Sequence, residues 1–155
     1  MRYSTRILHS AVCAFAAIVL AGNSADAQSK EDSRFKVTAV GGPMDDSGKQ
    51  TVTVKFDIAP GCYIYANPVQ NVELETVKTV VKVSAAGKAA NAVVHYPPGK
   101  LRETLGFQWM VYEGQIEITV VVQRAPGDVG PLDVDVFFQK QDGVGCYFPS
   151  RVRLK

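Results

Sequence analysis

Cysteine and histidine are scarce, with three of the first and two of the second among 155 residues. That is too few for a zinc ribbon or for a small fold held by several disulfides. Charge of one sign is lacking as well. Seventeen Lys and Arg against fifteen Asp and Glu leave a formal net charge of +2, without the clustered basic excess that nucleic-acid binding needs. No glycine-rich phosphate loop follows a strand and no Cys-x-x-Cys occurs. No nucleophile-elbow motif accompanies His95, the one histidine outside the amino-terminal segment. Long hydrophobic runs are limited to one, Ile7 to Ala21, interrupted by His9 and Ser10. It falls short of the ~20 apolar residues that span a bilayer. What is left, 46% hydrophobic and 21% charged, is the composition of one packed domain rather than a disordered chain.

The apolar run belongs to an address. Arg2 and Arg6 precede it and Ala25-Asp26-Ala27 follows it, the three parts of a secretory signal peptide, with cleavage expected between Ala27 and Gln28. Asn23 follows Leu20-Ala21-Gly22 where a lipoprotein would carry its cysteine. Residues 1–27 are therefore expected to be removed, Cys13 with them. Residues 28–155 are expected to form one domain in the periplasm, not membrane-spanning and monomeric, with Cys62 and Cys146 in an oxidising compartment.

That domain is written in period two. Val52, Val54, Phe56 and Ile58 alternate with Thr51, Thr53, Lys55 and Asp57, which means a strand with one buried face. The pattern returns at Ile116, Ile118, Val120 and Val122, at Leu132, Val134, Val136 and Phe138, and in the closing Arg151 to Leu154. Weaker strand signals lie at 35–40, 72–83, 92–96 and 107–112. Turn clusters separate them, among them Gly41-Gly42-Pro43, Asp46-Ser47-Gly48, Pro60-Gly61 and Gly143-Val144-Gly145. No ten-residue stretch carries a helical stripe, and the valines and threonines of 72–83 favour a strand. The expectation is all-β: a single immunoglobulin-like antiparallel β-sandwich.

The candidate chemistry lies in cysteines and aromatics. Gly61-Cys62-Tyr63-Ile64-Tyr65-Ala66-Asn67-Pro68 puts two tyrosines on one strand face. Phe107-Gln108-Trp109-Met110-Val111-Tyr112 holds the one tryptophan, and Gly145-Cys146-Tyr147-Phe148-Pro149 places a cysteine at a hairpin exit. Core packing is the ordinary fate of such aromatics. A buried apolar cysteine or half of a structural disulfide is the ordinary reading of Cys146.

Together these segments resemble the amino-terminal periplasmic domain of the thiol:disulfide interchange protein DsbD, over about residues 35–154. The anchors are Gly61-x-Tyr63-Ile64-Tyr65-Ala66-Asn67-Pro68, Tyr112-Glu113-Gly114, and Phe138-Gln139 followed by Cys146 and Pro149. The resemblance implies an immunoglobulin-like sandwich with a redox cysteine pair, passing electrons from a membrane-embedded partner to thioredoxin-like acceptors. It assigns Cys146 as the second cysteine of that pair and Tyr63, Tyr65 and Tyr147 as flanking aromatics. A cap loop shielding the sulfur would fall on Leu101 to Phe107, including Glu103, Leu105 and Phe107, with Trp109 beyond it. The first family cysteine would fall at about Gln141, so the local pair is missing.

Cys62 is the alternative partner. Two cysteines in a secreted chain usually pair, and closing so long a loop would stabilise by roughly 4.5 kcal/mol. Against this, continuing the pleat from Val52 to Ile58 turns Cys62 and Ile64 inward and Tyr63 and Tyr65 outward, unless a bulge at Pro60-Gly61 reverses the phase. The sequence leaves both open. It supports a thiol:disulfide interchange domain with Cys146, helped by Cys62, as the catalytic group, similar to a protein-disulfide reductase. An unperturbed thiol is only about 3% ionised at pH 7, and Lys140 and Arg151 are the nearest cations in sequence. The alternative is a non-catalytic docking module presenting Tyr63, Tyr65, Phe107 and Trp109 to a protein. A remote third is a copper(I) site of Cys146, Met110 and His95. Otherwise no cofactor and no metal is expected; the partner is a thioredoxin-like or membrane-embedded redox protein, not nucleic acid.

Overall fold

Alternation in the sequence becomes pairing in space. The structure, a computed structural model, describes residues 33–125 and 127–154; the expected leader, residues 1–27, lies outside them. In chain order the strands are β1 (Phe35–Met44), β2 (Lys49–Ile58), β3 (Tyr63–Tyr65), β4 (Val80–Ala85), β5 (Lys88–Ala89) and β6 (Asn91–His95). There follow β7 (Lys100–Thr104), β8 (Phe107–Tyr112), β9 (Gln115–Gln123), β10 (Leu132–Phe138), β11 (Lys140–Gln141) and β12 (Ser150–Leu154). Three antiparallel sheets result, with orders β1-β2-β9-β6, β12-β10-β4-β5 and β11-β3-β8-β7. The fold is all-β and matches the expected immunoglobulin-like sandwich.

One core joins the three sheets. The first contributes Val52, Val54, Phe56, Ile118 and Val120, the second Val81, Val134, Val136 and Phe138, the third Cys62, Ile64 and Tyr112. Register keeps the apolar faces together, with Val54 opposite Ile118 and Val52 opposite Val120. The Phe56 and Phe138 rings meet edge to face at 5.2 Å, across the first and second sheets. Each fully buried Val, Ile or Phe contributes roughly 1.5–3 kcal/mol. The second and third sheets are continuous through the chain, since only Gln139 separates β10 from β11. Just before β4, the buried Thr79 donates from its N–H and Oγ1 to the Tyr65 carbonyl, at 3.0 and 2.6 Å.

Two expectations are corrected, and the segment expected as a cap loop takes a defined shape. The strand expected over 72–83 begins only at Val80; Val72–Leu74 is a 3-10 turn whose start is capped by Asn71, which accepts from the Glu73 N–H. Gly41-Gly42-Pro43 is not a turn. β1 runs through it with a register shift between Gly41 and Met44, which an edge strand tolerates because a proline there leaves no ladder bond unmade. The expected cap loop is a hairpin. Thr104 pairs with Phe107, and Leu105 and Gly106 form its two-residue tip with φ of 51° and 83°, the signs a type I′ turn requires.

Candidate thiol site

Cys146 lies between β11 and β12, where an isolated antiparallel bridge sets it opposite Gln141. Gln141 in turn pairs with Tyr63, and Tyr65 pairs with Val111 of β8. The row Cys146, Gln141, Tyr63 is therefore fixed by sheet register. Gln141 is 3% exposed and donates from Nε2 to the Tyr65 hydroxyl at 3.1 Å. Cys146 is exposed. Burial, with Tyr63 and Cys146 as electrostatic neighbours, pushes the Tyr65 hydroxyl up to about 12. Burial also raises Tyr63, opposed by the Arg102 guanidinium and assisted by Cys146. The thiol thus belongs with both tyrosines, whose rings meet at 6.1 Å.

Cys62 does not join them. It is 6% exposed, packed in the core beside Ile64, and both cysteines are free. Pro60-Gly61 is a turn, closed by the Cys62 N–H donating to the Ala59 carbonyl at 3.1 Å with Gly61 at φ 81°, and the chain leaves it with Cys62 on the core side; the possible Cys62–Cys146 bond is not made. The expected outward placement of Tyr65 needs correction: it is on the face opposite Cys62 and Ile64, yet buried, because Gln141 and the β8 side cover it. Nor do the expected cations serve the thiol. Lys140 Nζ lies over the Phe35 and Phe138 rings, 5.5 and 6.0 Å from their centroids, and Arg151 pairs with Asp135 at 2.9 Å.

The loop that carries Cys146 is pinned from an unforeseen direction. Asp142 Oδ1 accepts from the Val144 and Gly145 N–H groups, both at 3.0 Å. Its Oδ2 accepts from the Tyr147 hydroxyl and, at 2.6 Å, from Arg34 Nη1. Arg34 Nη2 donates to the Tyr147 hydroxyl at 3.0 Å, and its guanidinium lies 5.2 Å from the Tyr147 ring centre. These donors, the Tyr147 hydroxyl first, hold the Asp142 carboxyl well below the usual carboxylate range. On the far side of the loop, the Tyr147 N–H donates to the Lys140 carbonyl and Gln139 Nε2 to the Tyr147 carbonyl. Val144 and Phe148 project from this loop at 98% and 94% exposure.

The β7–β8 hairpin flanks the tyrosines. Arg102 lies over the Tyr63 ring at 4.3 Å and grips Glu113 through Nε, at 3.0 Å, and Nη2. The Arg102 bond keeps the Glu113 carboxyl low. Glu103 accepts from Gln108. Leu105, at the tip, is 97% exposed, and Phe107 is exposed beside it. Tyr65, Asn71, Glu73, Leu74, Phe107 and Trp109 line a shallow cavity of about 190 Å³, and the Trp109 indole N–H is buried without an acceptor. The copper reading does not gather its ligands. His95 is on an edge strand of the first sheet and Met110 on β8 of the third.

The family described as thiol:disulfide interchange protein DsbD, N-terminal, matches residues 25–154. The chain belongs to that family. Among solved structures, the reduced DsbD amino-terminal domain of Neisseria meningitidis superposes with a TM-score of 0.53 at 23% identity, over 77% of this chain and 82% of that one. The amino-terminal periplasmic domain of ScsB from Proteus mirabilis gives 0.60 at 13% identity, over 81% of this chain and 47% of that one. A complex of the Neisseria meningitidis DsbD and PilB amino-terminal domains gives 0.54 at 21% identity, over 79% and 82%. At these identities the likenesses establish the fold. No curated protein matches the chain in sequence.

Cys146, Gln141, Tyr63, Tyr65 and Tyr147 are thus brought together, Glu103, Leu105, Phe107 and Trp109 lie along the adjoining hairpin, and Cys62 is left in the core. Sequence reasoning gave no site role to Asp142, Arg34, Arg102, Glu113, Val144 or Phe148, although Glu113 and Phe148 stood in the quoted motifs. The Asp-Gly pair at 142–143 carried a turn signal; Arg34 carried none.

Proposed function

We propose that this DsbD-type domain is a single-thiol interchange module of the periplasm. It docks a thioredoxin-like or membrane-embedded redox protein and joins it through a mixed disulfide at Cys146. The observation that carries this reading is the bridge itself: an exposed free thiol faces a buried glutamine where the family resemblance expects the first cysteine of the pair. The Cys146 thiolate attacks the partner's disulfide, one partner sulfur leaves as a thiolate, and the proton from Cys146 passes to solvent. With Cys62 enclosed, the new bond is resolved by the partner's own freed thiolate or by an external thiol. Val144 and Phe148, bare on either side of Cys146, supply the apolar anchors that protein docking favours. The related ScsB domain is described as periplasmic and a related DsbD domain forms a complex with a PilB domain, which supports the compartment and the kind of partner. No helix among the described residues is long and apolar enough to cross a membrane.

The test uses a thioredoxin with its resolving cysteine replaced and its remaining active-site cysteine capped as a mixed disulfide with thionitrobenzoate. The expected product is a covalent complex mapping to Cys146, persistent until reductant is added and absent for Cys146→Ser. Absence of a complex with the unmodified chain overturns the reading. The buried Gln141 amide favours a second reading, a docking module without exchange. Under it, thioredoxin binds Cys146→Ser and the unmodified chain equally and no covalent complex forms.

A further inference from the structure

The Asp142 carboxylate accepts three hydrogen bonds from the loop that carries Cys146 and one from outside it. One oxygen takes the two N–H groups that immediately precede the cysteine in the loop, those of Val144 and Gly145. The other takes the hydroxyl of Tyr147, the residue that follows it, and the Arg34 guanidinium from the chain leading into β1. Hydrogen bonds to an ionised carboxylate are about twice as strong as neutral ones, and here they close on both sides of a single residue. The opposite wall is the sheet, with Cys146 bridged to Gln141 and Tyr147 tied to Lys140 and Gln139. The charged group facing the carboxylate is Arg34, with the neutral Tyr147 hydroxyl beside it; Lys140 on β11 is turned away onto phenylalanine rings. Without the clamp, the glycines at 143 and 145 would leave the segment several backbone conformations to lose on docking.

We propose that Asp142 is a positioning residue for the proposed interchange: it pre-orders the 142–147 loop so that Cys146, Val144 and Phe148 meet a protein disulfide in one geometry. The carboxylate does not touch the sulfur in this role. A small disulfide, which needs no docking, gains nothing from the clamp, whereas a protein disulfide does. The inference rests on the mixed-disulfide reading above.

The experiment compares two reaction rates of Cys146 in the full chain, with the Cys146→Ser chain subtracted as background. One reagent is the capped thioredoxin already described, the other a neutral dipyridyl disulfide. For Asp142→Ala, the rate with thioredoxin is expected to fall on the order of tenfold while the dipyridyl rate stays within about twofold. Asp142→Asn keeps an oxygen for the two backbone N–H groups and should recover part of the loss. Cys62 reports on folding, since it reacts only if the core opens. If Asp142→Ala exposes Cys62, Asp142→Asn and Tyr147→Phe carry the comparison, each expected to lower the thioredoxin rate selectively. Equal rates with both reagents in folded variants, or an equal loss with both, overturn the positioning role. Failure of the unmodified chain to react with thioredoxin instead overturns the interchange reading itself.

Discussion

Gln141 and Cys146 face each other across one antiparallel bridge, the amide buried and the thiol exposed. Directly opposed residues of an antiparallel pair have Cα atoms about 4.5–5.5 Å apart, within the span a disulfide bridges. Gln141→Cys should therefore create a cross-strand disulfide under mild oxidation. Alkylation of Cys146 followed by mass spectrometry checks it: protected in the oxidised variant, labelled after reduction, and labelled throughout in Gln141→Ala. Full labelling of Cys146 in the oxidised Gln141→Cys variant would count against the bridge.

Val144 and Phe148 make few contacts with their own chain, so their removal should cost the fold little. Val144→Ser and Phe148→Ser are expected to change unfolding free energy by no more than about 0.5 kcal/mol. If they anchor a partner, the pair should weaken thioredoxin capture on the order of tenfold. Urea denaturation and the rate of mixed-disulfide formation measure the two effects separately.

Gly99 is where the hairpin passes against the core wall. A Cβ there would stand 2.8 Å from Ala66 Cβ and 3.0 Å from Met110 Cβ, and Ala66 is fully buried. Gly99→Ala should destabilise by about 1–3 kcal/mol through overpacking, read as a lower urea midpoint.

Stability should fall at both ends of the pH scale. The folded-state values of Glu113 and Asp142 lie below their ordinary ones because of Arg102 and Tyr147 respectively. Their contribution is whole above about pH 4 and fades as pH drops from there toward the folded values. Tyr65 has the opposite sign: its contribution is whole below about pH 10 and is lost as pH rises toward the folded value of about 12. Urea midpoints across pH should show a plateau with two limbs. Glu113→Gln should flatten the acid limb, and an unchanged limb would remove Glu113 from the account.

Strands buried on one face announced themselves. Val52 to Ile58 and Leu132 to Phe138 alternate because each second residue meets the core, and the structure returns the same phase. The 72–83 stretch misled because branched side chains suit a strand, whereas the Asn71 side chain and the following 3-10 turn are local hydrogen-bond effects that outweigh propensity. The hairpin carries no turn signal of the usual kind, because its tip puts a leucine, not Asn or Gly, first in the left-handed region. Cys62 was legible to the extent that the pleat phase predicted its burial. Asp142 was legible only as a turn former ahead of Gly143; its contact with Arg34 spans 108 positions, and no local pattern encodes that.

Cys62 enclosed in the core has a consequence for electron count. A disulfide is a two-electron couple, and one accessible thiol is half of it. With Cys62 and Cys146 unpaired in the described residues, a disulfide at Cys146 is a molecule of two components: this domain with a partner, or two copies of the domain. Stoichiometry, rather than reduction potential, then separates the states, at one bond per chain in the first case and one per two chains in the second.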